Sequence, residues 1–468
     1  MQKLLKPLSA IIMAVASAST QAAPVLLGIG EITGATDLSG LTYNLESGIS
    51  AAVLGGTGSG IAYAGGNQFY VLPDRGPNAQ PYANSAVIDD TTSYIPRFHK
   101  INVGLTPSGN INGLPLNVTT QLTSTTLLSS NTPLNYGATA GLPSAIPSVN
   151  TATNFYFSGR SDNFAPGATT NPNNARLDPE GIRISNDGKS AYVSDEYGPY
   201  VYEFDVATGE RLRTFNLPAS LTAPNSFSTE AAEVNKTINP VGRTTNKGME
   251  GLAITPDGSK LVGIMQATAL QDSKKNVRMV VIDIASGNTQ EFAYKLTDGT
   301  GVSEILAINN QQFLVLERDG KGLGDNSNAV VKKLFQIDIT GAQSVAGMSG
   351  DLSSKAVAKT EFLDITSNLV AAGFSQNQIP AKLEGIAFGS DVQVGNTQYH
   401  TLWLSNDNDY INNVNGLNNP NQLFVYGFTQ TDLPLYQAQA IVNTPLPAAL
   451  PLFFAALSAF GVGFMRRK

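Results

Sequence analysis

One pattern recurs five times along this chain and leaves few folds open to it. Residues 177–205, LDPEGIRISNDGKSAYVSDEYGPYVYEFD, give an acidic residue, a short apolar strand, a turn, a second apolar strand and a charged exit. The same grammar returns at 57–78 (TGSGIAYAGGNQFYVLPDRGPN), 246–266 (NKGMEGLAITPDGSKLVGIMQ), 303–320 (SEILAINNQQFLVLERDG) and 382–409 (KLEGIAFGSDVQVGNTQYHTLWLSNDND). Spacing ties the copies together. Ser59 to Asp74, Glu180 to Asp195 and Glu250 to Met265 are each 15 residues apart, Glu304 to Glu317 is 13, and Glu384 to Asp407 is 23 through a longer turn. Asp-Gly in SNDGKS and TPDGSK supplies the positive φ that a tight hairpin needs, so Asp187 and Asp257 read as turn formers.

Hairpins repeated with irregular connections predict an all-β fold, a β-propeller. The 45 glycines and 25 prolines, against only 14% charged residues, agree with a turn-rich β protein. Six blades are expected, with seven also open, and NQLFVYGF at 421–428 reads as a further strand closing the ring. The copies lie further apart than the ~40–50 residues of an ordinary blade, which predicts long loop insertions at 102–175 and 219–245. The domain is expected over 24–443.

A propeller brings equivalent positions of successive blades around one axis. Glu180, Glu250, Glu304 and Glu384 should then converge at one mouth. Carboxylates gathered so closely repel unless a cation neutralises them, and a hard ion with oxygen ligands, calcium above all, suits them. The competing reading is that each glutamate bonds backbone amides of its neighbour and holds the ring shut. The exits add Asp74 and Arg75, Glu196, Glu317, Arg318 and Asp319, and Asp407 and Asp409, while Arg183, Lys247 and Lys382 flank the glutamates. Carboxylates for a metal among Arg and Lys for anionic oxygens point to a phosphate ester rather than a sugar or peptide.

Other chemistries lose support. The chain has no cysteine, so disulfides and thiolate sites are excluded. Its only histidines, His99 and His400, read as surface residues, and no G-x-S-x-G elbow or phosphate-binding glycine loop is present. A net charge of −7 argues against nucleic acid as a partner. Residues 1–23 have the lysines, apolar core and small-residue end of a secretory signal peptide. Residues 444–468 resemble a PEP-CTERM sorting tail: Pro445-Leu446-Pro447, an apolar run from Ala448 to Met465 and the basic end Arg466-Arg467-Lys468. That resemblance implies transient contact with an inner membrane through a transmembrane helix, cleavage by an exosortase-type protease and a final place at the cell surface or outside.

The segments LPDRGPN, DPEGIRISNDGKSAYVSDEYGPYVYEFD, NKGMEGLAITPDGSKL, LVLERDGKG and KLEGIAF, in this order, resemble the phytase-like family with esterase-like activity over roughly 40–430. The resemblance implies a propeller hydrolase, calcium as cofactor and a small-molecule phosphate ester as substrate. It carries Glu180, Glu196, Glu250, Glu317 and Glu384 over as acidic site residues and Arg75 and Arg318 as anion binders. Ser59 departs from the pattern, standing where other repeats have Glu. A lactonase or carboxylic esterase, and a non-catalytic binding propeller, are the rival readings, and no residue stands out as general base.

Overall fold

Each recurring hairpin forms the two inner strands of a four-stranded antiparallel sheet. The computed structural model describes residues 24–79, 91–109, 113–137, 149–164, 167–168, 171–226 and 237–442. The leader and the sorting tail expected from the sequence lie outside these residues. Among the described residues no helix is long and apolar enough to cross a membrane.

From the axis outward, the first blade contains Gly60–Tyr63, Gln68–Leu72, Arg97–Pro107 and Leu116–Leu127. The second contains Pro179–Ile184, Ser190–Asp195, Tyr200–Asp205 and Arg211–Asn216, and the third Met249–Ile254, Lys260–Met265, Asn276–Asp283 and Thr289–Lys295. Gly301–Ala307, Gln312–Arg318, Lys332–Asp338 and Lys359–Asp364 make the fourth. The fifth runs Lys382–Val394, Thr397–Asp407, Asn421–Phe428 and then Val25–Ile32, so the two ends of the domain meet in one sheet.

The expected six blades are therefore corrected to five. Asn421–Phe428 starts no new blade; it is the third strand of the fifth, and the N-terminal strand supplies the fourth. The stretch 102–175 is not an uninterrupted loop either, because it begins within the outer strands of the first blade. Among the described residues helix is almost absent, the one α-helix there being Ile365–Ala371, capped by the Asp364 side chain on Ser367 N at 2.9 Å.

The Glu-Gly step has a packing cause. A Cβ at Gly181 would come within 2.8 Å of Leu252 in the third blade, and one at Gly251 within 2.8 Å of the Glu304 Cα in the fourth. Glycine at this position lets successive inner strands close on one another. Beside it, the inner strands of the second to fifth blades each carry one residue more than their partner strand. Such bulges re-aim side chains away from the regular alternation. The apolar core lies between blades: Val201, Met249, Ile264, Val280 and Ile305 come from three consecutive blades into one cluster. Trp403 of the fifth blade meets Phe69 of the first with ring centroids 4.8 Å apart.

Candidate active site

At one end of the axis the inner strands and their exits enclose a cavity of about 180 Å³. Asp74, Arg75, Glu180, Glu196, Lys247, Glu250, Arg318, Lys382, Glu384 and Asp407 line it, together with Asn246 and Gln266.

Three carboxylates, Asp178, Glu180 and Glu196, bring oxygens within 4.8 Å of one another. Asp178 accepts from the Arg75 backbone N at 3.0 Å and from Arg75 Nη1 at 3.3 Å. Glu196 accepts from Gly248 N at 3.1 Å, and its own N donates to Asp178 O at 2.8 Å. Glu180 is only 8% exposed, yet it has no hydrogen bond or ion pair among the described residues. Burial, then Glu250, Asp178, Glu196 and Glu384, push its carboxyl well above the usual range. Burial pushes Asp178 up to about 7, with Arg75 opposing and Glu196 adding to the rise. Only Asp178 of the three has an ion-pair partner, Arg75 at 3.3 Å, so among the described residues Glu180 and Glu196 have no cation of their own.

A second triad, Asp74, Asp407 and Asp409, already has its cation. Lys382 Nζ donates to Asp407 Oδ2 at 3.0 Å and also to Asp409. Burial alone would lower the Lys382 pKa, but Asp407 and Asp409 outweigh it and raise it well above the ordinary value. Asp409 and Tyr410 both adopt left-handed φ angles, 51° and 59°, a conformation that non-glycine residues hold mainly where their surroundings impose it.

Between the triads, Arg318 bonds Glu384 and stands 3.6 Å from Glu250, whose Oε1 also accepts from Gln266 Nε2 at 2.7 Å. Burial, then Glu196 and Glu384, hold the Glu250 carboxyl well above its usual range against Arg318. Lys247 is exposed at the rim and reaches Gln266 Oε1 at 3.5 Å. The donors around the first triad are all oxygens, the set a hard divalent cation takes, and the cations beside it suit an anionic oxygen.

Three expected site residues lie elsewhere. In the fourth repeat Ser303, not Glu304, holds the ring position, its Oγ donating to Leu383 O at 3.1 Å. Glu304 falls on the position that is glycine in the other repeats, and its carboxylate takes Leu252 N at 2.8 Å, Ile305 N at 2.9 Å and Arg183 at 3.0 Å. Arg183 is thereby drawn beneath the cavity. Glu317 points to the opposite side of its strand from Arg318, as strand alternation requires. There it accepts from Tyr294 at 2.6 Å, Asp298 N at 3.0 Å and Gly299 N at 2.9 Å, fixing the connection between the third and fourth blades. His99, expected at the surface, is fully buried beside Thr125, 2.9 Å from its hydroxyl. Asp178, Asn246 and Gln266 were not foreseen. Asp178 was readable as the acid two residues before Glu180, and Gln266 as the exit of the third repeat.

A family model described as phytase-like, "Esterase-like activity of phytase", matches residues 53–410. An "Uncharacterized secreted protein" of Arthroderma benhamiae is 31% identical over 309 residues, or 56% of this chain, and the chain spans 55% of that relative's length. Among solved structures, Kuenenia stuttgartiensis hydrazine synthase aligns at 12% identity with a TM-score of 0.32, over 79% of this chain and 80% of that one. A luciferin-regenerating enzyme aligns at 11% identity with a TM-score of 0.31, over 90% and 100%.

Proposed function

The chain belongs to the phytase-like family with esterase-like activity, and on that premise we propose that it hydrolyses phosphate esters with calcium held by Asp178, Glu180 and Glu196. The observation that carries this reading is the cation-poor triad set among Arg75, Arg318 and Lys382. Bound calcium would supply Lewis acidity toward a phosphoryl oxygen.

The remaining work falls to the chain. Arg75 is oriented by Asp178 and by Asn246 Oδ1 at 2.9 Å, and its Nε has no partner among the described residues. Arg318 Nε is likewise unpaired. Both guanidinium groups thus keep donors for charge developing on the phosphoryl oxygens. Glu250, whose carboxyl is raised well above its ordinary range chiefly by burial, can give a proton to the leaving alkoxide oxygen as water displaces it from phosphorus, and can take back the proton that the attacking water releases. Export fits the signal-like leader and the secreted relative. Release from the inner membrane would follow cleavage of the tail by an exosortase-type protease.

The test is turnover of phosphomonoester and acyl-ester panels by the exported chain, with calcium and with chelator. Calcium-dependent phosphate release is expected, and Glu180→Gln should cut kcat/KM on the order of 100-fold. Acyl-ester turnover alone would move the protein to the lactonase or esterase reading. No turnover, with calcium still raising the melting temperature, would make it a binding propeller.

A further inference from the structure

Arg183 spans the axis one layer beneath the acids. Its Nη1 donates to the carbonyls of Ile61 at 2.9 Å and Ile182 at 2.6 Å, and its Nη2 to those of Ile305 at 2.9 Å and Ile386 at 3.3 Å. The four carbonyls come from four different blades. Each lies two residues beyond the ring position of its own repeat, namely Ser59, Glu180, Ser303 and Glu384. The remaining blade is reached through Glu304, which pairs with Arg183 Nη2 and accepts from Leu252 N. Leu252 lies two residues beyond Glu250. One ion pair therefore ties the same layer of all five inner strands.

The inner strands belong to separate sheets, so no shared ladder sets their spacing at the axis. A guanidinium is a rigid planar fork with five donors, able to meet several carbonyls at fixed angles. Two residues of strand, ~7 Å, separate this layer from the acids, so a shift of the layer is felt at the mouth. We propose that the Arg183–Glu304 pair is a positioning device that fixes Glu180, a ligand of the cation proposed above, relative to Glu250 and Glu384 beside it. It thereby sets the affinity of the mouth for a divalent cation, and in this respect it rests on the function proposed above.

Calcium affinity of the full exported chain, measured by titration calorimetry beside melting temperature in chelator, tests it in Arg183→Lys and Glu304→Gln. Arg183→Lys keeps the charge and loses the fork, so a weaker calcium site there reports geometry rather than electrostatics. A 10- to 100-fold loss of affinity, about what outer-shell changes cost, is expected in both folded variants. Should Arg183→Lys fail to fold, Glu304→Gln decides, since its amide oxygen still accepts from Leu252 N. A folded variant with parental calcium affinity overturns the proposal and leaves the pair a purely stabilising clasp. Glu180→Gln separates the two failures: parental affinity in that variant sinks the metal reading itself. In that case the pair sets no cation affinity at the mouth, and the proposal falls with that reading.

Discussion

His99 lies in the third strand of the first blade with no exposed surface, its Nδ1 2.9 Å from the Thr125 hydroxyl. Burial pushes its imidazole down from the ordinary 6.5 to about 3, with Asp37 opposing and Arg97 reinforcing the shift. The unfolded chain takes up a proton here as pH falls through about 6.5, while the folded chain refuses it until far lower. Stability from this group is therefore complete above pH 6.5 and is lost as pH falls toward 3. His99→Gln should flatten the fall in melting temperature between pH 6.5 and 4, and parallel curves for parent and variant would contradict this. At the same scale the sequence told most about the mouth. Glu180, Glu250, Glu384 and their exits could be placed because each repeat kept one register. Glu304 could not, since a one-residue slip in VSEIL against MEGLA turns the glutamate onto the glycine position. Glu317 was misplaced for a related reason, because only strand alternation decides which of Glu317 and Arg318 faces the axis.

Within a blade, the steps worth testing are the contacts that let one inner strand approach the next. A Cβ at Gly251 would meet the backbone of Glu304 and Ile305, both at 2.8 Å, and backbone has little freedom to yield. Gly251→Ala should cost about 1–3 kcal/mol in chemical denaturation. Gly320→Ala, with open space around the added carbon, should be neutral or stabilise by at most about 1 kcal/mol. Equal effects at the two sites would mean that strand approach is not what the Glu-Gly step protects. The inner hairpins were legible because both faces are buried, which keeps their sequences apolar and short. The outer strand Leu116–Leu127 was not. Its residues LNVTTQLTSTTL alternate weakly between buried and exposed, so threonine-rich strand and threonine-rich loop look alike. The closing strand of the fifth blade hid for a different reason: Val25–Ile32 pairs with Asn421–Phe428 across nearly the whole chain, and no local pattern reports such a pairing.

Across the whole molecule the two mouths of the propeller are unequal. The acids stand where the inner strands begin, and the far ends of those strands are crossed by the segment after Phe428. Gln437 N donates to Ile308 O at 2.9 Å, Gln439 Nε2 to Ile184 O at 2.7 Å, and Val442 N to Asn186 O at 2.7 Å, so this strap bridges the fourth and second blades. Tyr436 anchors it, with ring centroids 4.7 Å from Phe388 and 4.8 Å from His400, and Leu433 is buried in the core. The acids thus stand at one end of the axis, and the chain leaves the described fold at the other. A chain ending after Val442 should match the full exported protein in melting temperature and calcium response, because every strap contact is kept. One ending after Phe428 gives up the burial of Leu433, about 1.5–3 kcal/mol, and the ring contacts of the half-buried Tyr436, about 0.5–1.5 kcal/mol, and should lose roughly 2–4 kcal/mol of stability. If the shorter chain melts like the longer one, the strap is not part of the cooperative fold. If the longer chain loses its calcium response, residues beyond 442 contribute to that response.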